Sequence, residues 1–172
     1  MPRQDRAILK KVSVSLPFGL GSAEWESDPT ERSAAWSLYV ELATRTAVEE
    51  RAAWGGPAEA REALSSLYAL FDITREVLKQ AGPGVGASRE SAGGVAIAVL
   101  NKGLRPFLDE WQPRLRAWEE SRPSEVPLWQ HQQQHEWPEA EKSDFWNALG
   151  ALRQDLRQYT HALAVIAGVR ET

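Results

Sequence analysis

Apolar side chains recur along most of this chain at alternating steps of three and four, the period of one face of an α-helix. The pattern is clearest over residues 60–78. There Ala60, Leu64, Leu67, Phe71, Thr74 and Leu78 form one stripe, and Ala63, Leu70, Ile73 and Val77 form a second beside it. A helix with so wide an apolar surface packs against more than one neighbour, or leaves the second stripe open for a copy of itself. Before it, Trp36, Tyr39, Val40, Ala43 and Ala47 repeat the spacing, and Leu38 and Leu42 widen that face. Near the end of the chain, Leu149, Leu152, Leu156, Tyr159, Leu163 and Ile166 do the same, with Phe145 and Trp146 broadening the start.

Local signals bound these helices. Asp28-Pro29-Thr30-Glu31 places Asp at the cap, Pro at the first helical position and Glu where it can reach back to the cap N–H. That predicts a first helix from residue 28 to about Ala53, stopped by Gly55-Gly56-Pro57. Gly82-Pro83-Gly84 ends the second. The fourth is predicted from about Ser143, capped by Ser143 or Asp144, to Ala167, with Gly168 as its C-cap.

The third helical region starts near Ala92. Val95, Ala96, Val99 and Leu100 make it densely apolar, and Leu104, Phe107, Leu108, Trp111, Leu115 and Trp118 extend the spacing to about Glu120. Pro106 and Pro113 each lack an N–H and crowd the carbonyl four residues back. They predict a kinked helix, or two or three short helices in line. Residues 121–142 read as a polar linker with Pro123, Pro127, Pro138 and a Gln/His tract. It is either mobile or holds a short helix over one end of the bundle.

Residues 1–27 are different. Val12-Ser13-Val14-Ser15-Leu16 alternates apolar and polar, the period of a half-buried strand, until Pro17, Gly19 and Gly21 break it. A strand needs a neighbour to satisfy its backbone. Three outcomes are open: the arm lies across the helices, it is disordered, or it pairs with a strand of another chain. The expected fold is all-α: an antiparallel four-helix bundle (28–172) with a kinked third helix and a non-helical N-terminal arm (1–27).

Composition narrows the chemistry. The 172 residues fit one domain with a real core. No cysteine is present, which excludes disulfides, thiol nucleophiles and thiolate metal sites. The net charge of −4 disfavours nucleic acid as a partner, and no apolar run approaches the roughly 20 residues that span a bilayer. A cytoplasmic location is the simple expectation. There is no phosphate loop, no G-x-S-x-G elbow, no H-E-x-x-H and no Glu-x-x-His of a di-iron bundle. His131 and His135 would share a helical face, but two ligands are too few for a metal, and His161 reads as a bundle-edge residue. No cofactor and no metal is expected. Of the charged groups near apolar stripes, Arg75, Asn101 and Arg105 are the candidates for a small-ligand pocket between helices. Ordinary surface pairing is the competing reading. Eight tryptophans are many for this length, and they divide between core filling and interface contact.

Several stretches together resemble an uncharacterised family of small bacterial helical proteins. They are Trp36-Ser37-Leu38-Tyr39-Val40-Glu41-Leu42, Leu64-Ser65-Ser66-Leu67-Tyr68-Ala69-Leu70-Phe71, Thr74-Arg75-Glu76-Val77-Leu78 with Gly82-Pro83, Val99-Leu100-Asn101, Leu104-Arg105-Pro106-Phe107-Leu108 and Trp111-Gln112-Pro113. The resemblance spans roughly residues 34–168. It implies no catalytic activity, and it implies an accessory component of multi-gene systems such as antiviral defence. The missing catalytic constellations, the abundant tryptophan, the strand-like arm and the long linker make non-enzymatic protein–protein interaction the expected function. The partner is another protein or a second copy, and the contact elements are Val12, Val14 and Leu16 of the arm with Trp129 and Trp137 of the linker. A small-ligand sensor or unusual enzyme built on Arg75, Asn101 and Arg105 is the alternative.

Overall fold

The structure is a computed structural model and describes residues 11–26, 28–45, 48, 55–86, 90–134 and 137–170. Helices dominate it, preceded by a two-stranded hairpin. Strand β1 (Val12–Leu16) pairs antiparallel with β2 (Gly21–Trp25), Val12 opposite Trp25 and Leu16 opposite Gly21. The alternating segment is thus a strand, and its neighbour lies in its own chain, so pairing with another chain is not needed to satisfy it. In β2, buried Ala23 and Trp25 alternate with exposed Ser22 and Glu24. The turn Pro17–Leu20 closes with Leu20 N–H donating to the Pro17 carbonyl at 3.1 Å. Its central residues Phe18 and Gly19 have φ of 57° and 67°. Two such residues fit the I′ turn, whose twist matches that of the flanking strands. The hairpin lies on the last helix, and its inward side chains Val14, Leu16, Ala23 and Trp25 belong to the main hydrophobic cluster.

Helix α1 (Pro29–Ala43) begins as its sequence requires, the Asp28 carboxylate accepting from Glu31 N–H at 2.8 Å. Glu31 does not reach back to the cap. It is buried and accepts from Ala92 N–H at 3.1 Å and from the Trp25 indole N–H at 3.5 Å, joining hairpin, α1 and the third helical region. Helix α1 ends at Ala43, ten residues before the predicted stop. There the Thr44 hydroxyl donates to the Val40 carbonyl at 2.7 Å, and Arg45 N–H turns to the Leu42 carbonyl. Such local bonds compete with helix continuation. Residues 46–47 and 49–54, part of the predicted extension, fall outside the described residues.

Helix α2 (Pro57–Ala81) starts on Gly56, whose N–H donates to the Glu59 carboxylate at 2.8 Å, and stops at Gly82 with φ of 85°. Both its stripes point inward. Ala60, Ala63, Leu64, Leu67, Leu70 and Phe71 are buried, and Ile73 and Val77 are half-buried, so the second stripe is not an open surface.

The third region forms one helical run: α3 (Ala92–Ala98), a π-helical stretch (Val99–Leu104) and α4 (Arg105–Glu120). Ser91 caps α3 by accepting from Gly94 N–H at 3.1 Å. The wider π stretch sits immediately before Pro106, which falls in the first turn of α4, where a missing N–H is tolerated. Pro113 lies within α4, and the helix continues past it.

The 121–142 segment holds a short helix, α5 (Leu128–Gln134), packed on α2 and α4. The His131 ring stacks on Trp118 with centroids 4.3 Å apart, and His131 Nε2 lies 3.2 Å from the Trp118 carbonyl. Helix α6 (Glu139–Ala167) starts earlier than predicted. Pro138, not Ser143 or Asp144, precedes its first turn, and Glu139 and Glu141 suit the positive end of the helix dipole. Gly168 ends it with φ of 76°, while Gly168 N–H and Val169 N–H donate to the Val165 and Ala164 carbonyls, a Schellman motif.

Helix α1 packs on α6 and α2, and α2 packs on α4. An aromatic cluster joins α4 to α6. Phe145 lies 5.8 Å from Phe107, 5.3 Å from Trp111, 5.4 Å from Trp137 and 5.1 Å from Trp146, and it meets Trp111 and Trp146 edge to face.

Candidate functional site

The structure brings Arg75, Asn101 and Arg105 together, but at the surface. The guanidinium carbons of Arg75 and Arg105 lie 5.5 and 5.3 Å from the centroid of the Phe71 ring. Arg105 donates from Nε and Nη2 to the Asn101 carbonyl oxygen, each at 3.3 Å, and Arg75 donates to Asp72 at 3.1 Å. All three residues are exposed. The two guanidinium groups lie over the ring of a core phenylalanine in cation–π contact, and Asn101 holds one of them. The exposure of all three fits surface pairing better than a pocket buried between helices.

Two concavities lie nearby. An open groove of about 790 Å³ runs between α2 and α4, lined by Tyr68, Leu108, Asp109, Gln112, Arg116 and Glu120 among others. Its lining mixes both signs of charge, and Arg61 closes one side by bridging Glu119 at 2.8 Å and Gln112 at 2.9 Å. The second is enclosed, with about 10 Å³ of free space, enough for one water. Leu38, Leu70, Val99, Leu104 and Tyr159 form its walls. The Tyr159 hydroxyl is buried there and meets no hydrogen-bond partner among the described residues. Burial pushes its phenol pKa up from the ordinary 10.0.

The arm and linker residues divide. Val14 and Leu16 are buried and Val12 is half-buried against the core, because β2 takes one edge of β1 and α6 takes its inner face. Two further bonds fix the hairpin to α6: Phe18 N–H to Asp155 at 3.3 Å, and the Gln158 amide to the Ser15 hydroxyl at 2.9 Å. Trp137 is only 1% exposed, and its indole N–H donates to Glu141 at 3.0 Å, so it is a core residue. Trp129 stands 61% exposed on α5. Among the described residues, no group of three or more His, Asp or Glu side chains is placed to hold a metal; His135 lies outside them. No described helix is long and apolar enough to cross a membrane.

The surface that sequence reasoning misplaced is on α1. Its periodicity assigned Trp36, Tyr39, Val40 and Ala43 to the core, yet the buried face is Ala34, Ala35, Leu38 and Leu42. The other face looks outward. Trp36 is 50% and Val40 37% exposed, Ala43 is exposed, and Trp36 stacks on half-buried Tyr39 with centroids 5.7 Å apart. Every residue from Ser33 through Val40 is uncharged. Helix α1 carries large apolar side chains on both faces, with exposed Arg32 at the border of the outward one, and the fold buries one face. The signal was present in the sequence as two overlapping stripes, 36/39/40/43 and 35/38/42, with nothing to say which turns inward.

No protein family matches the chain, and neither a curated protein nor a solved structure is found similar to it. The functional reading therefore rests on its own geometry.

Proposed function

We propose that this chain is a non-enzymatic interaction module, an accessory subunit that docks another protein chain on the outward face of α1. The observation that carries the reading is the uncharged stretch 33–40, bordered by exposed Arg32, in which half-exposed Trp36 stacks on Tyr39 and Val40 is exposed beside it. A surface helix normally turns charge toward water, and one apolar all round is normally covered all round. Tryptophan and tyrosine are enriched where proteins meet, because they contribute much contact area for little lost rotamer freedom. The rest of the molecule suits a scaffold. We read its long helices as an antiparallel bundle, a reading supported by the packing of α1 on α6 and α2 and of α2 on α4. Packing on α6, α2 and α3 holds the inner face of α1 and leaves the other face outward.

The test is a photo-crosslinking residue at Ser37, in the chain's native cell, compared with one at exposed Gln154 on α6. A discrete protein adduct from position 37 and none from 154 is the expected result. Equal, diffuse labelling at both positions would show that α1 is not a docking face.

A further inference from the structure

We infer that the chain covering α1 is a second copy of this one, the two α1 helices packed antiparallel about a two-fold axis. The inference rests on the interaction function proposed above and adds the identity of the partner.

Charge is the first argument. Burying an unpaired charge against Trp36 and Val40 would be strongly unfavourable, so the covering surface must itself be uncharged. Two of the hydroxyls on this face are already bonded within the helix. Ser37 donates to the Ser33 carbonyl at 3.1 Å and Thr44 to the Val40 carbonyl at 2.7 Å. The exposed face of α2 carries Glu62, Asp72, Arg75 and Glu76, and that of α4 carries Arg105, Asp109, Glu110 and Arg116. The exposed face of α6 is uncharged over Asn147, Ala151, Gln154 and Gln158, but its amides would need hydrogen-bond partners. Helix α3 exposes Ile97 beside Asn101 and Lys102, and α5 exposes Trp129 beside Gln133. Among the described helices, the longest run of outward apolar side chains free of charges and amides is on α1 itself, over residues 33–40.

Shape agrees. With the axis level with Leu38, Trp36 of each copy lies opposite the partner's Val40, and Ser33 lies opposite the partner's Ala43. Large apolar groups then meet at the centre and small ones at the ends, the self-complementary pattern that a two-fold interface requires. Size sets the strength. From Ser33 to Ala43 the stripe is about 15 Å long at 1.5 Å per residue. One helix face of that length buries less than the roughly 800 Å² per partner of a standard interface. The dimer is therefore a weak one, in equilibrium with monomer.

Sedimentation velocity on the full chain, from low micromolar to near-millimolar concentration, tests this. Wild type should shift from monomer to dimer across the range. Trp36→Glu, at an exposed position, should keep the wild-type circular dichroism and bind itself at least about tenfold more weakly. Mixing Trp36→Glu with Val40→Lys should restore dimer by pairing the two new charges across the axis. A Trp36→Glu protein that dimerises like wild type overturns the inference, and so does a wild type that stays monomeric throughout. In the second case the crosslink at Ser37 separates the two claims. An adduct with a different protein leaves the interaction function standing with another partner, and no adduct removes both.

Discussion

Single side chains set two of the stability properties of this fold. Tyr159 carries a buried hydroxyl with no protein partner among the described residues, in a mainly apolar cavity that Thr74 and Glu41 also line. An unsatisfied buried hydroxyl costs about 1–3 kcal/mol. Tyr159→Phe should therefore raise the unfolding free energy by about 1 kcal/mol in urea at neutral pH. It should also change the alkaline behaviour. Because burial raises the folded phenol pKa above the unfolded value of 10.0, the unfolded state loses its proton first. Stability is intact below pH 10 and falls as pH rises above it. The variant should show a shallower decline than wild type as pH rises above about 10. Glu31 acts in the opposite sense. It accepts from the buried Ala92 N–H and the Trp25 indole, and Glu31→Ala leaves both donors without it. A loss of about 2 kcal/mol is expected, read as a lower urea midpoint at unchanged slope. The sequence made Glu31 a capping-box residue. Its real partners are brought to it only when hairpin, α1 and α3 assemble.

At the scale of elements, the π stretch and the hairpin are one unit. An added Cβ on Gly103 would sit 2.4–2.6 Å from ring atoms of Phe18. Phe18 itself is held at φ 57°, an uncommon conformation for a side chain of its bulk. The hairpin tip thus rests on bare backbone in the middle of the third helical run. Gly103→Ala should destabilise by about 1 kcal/mol, the displaced ring outweighing the gain in helix propensity. In a Phe18→Ala background the same change should become neutral or stabilising, a coupling that a double-mutant cycle measures directly. The helix caps at Asp28, Gly82 and Gly168 were legible because capping is local chemistry. The strand β2 was not, since Gly21-Ser22 gives little strand signal and its pairing comes from β1. The early start of α6 was missed for a related reason. Its first turn is held by the burial of Trp137 and by the Trp137–Glu141 bond, not by a side-chain cap.

At the scale of the molecule, the tryptophans show how the two levels of information divide. Trp25, Trp111, Trp137 and Trp146 are buried, Trp118 is half-buried, and Trp36 and Trp129 are exposed. Nothing in the local pattern separates Trp137 from Trp129, which lie in the same Pro- and Gln-rich stretch. The proposed ligand set of Arg75, Asn101 and Arg105 met a similar fate. Its members did come together, because i, i+4 spacing ties Asn101 to Arg105 and the contact of α2 with α4 brings Arg75 and Arg105 to Phe71. They came together at the surface, where the two guanidinium groups cover the ring. By itself, the sequence determined the helical character, most of the caps and stops, and the excess of apolar faces over what one core can absorb. Periodicity and capping act within a few residues, so they are written locally. Which stripe of α1 turned inward, where β1 found its neighbour and which aromatic rings met at Phe145 were decided by long-range packing. Each of those choices depends on surfaces that exist only after distant segments have met.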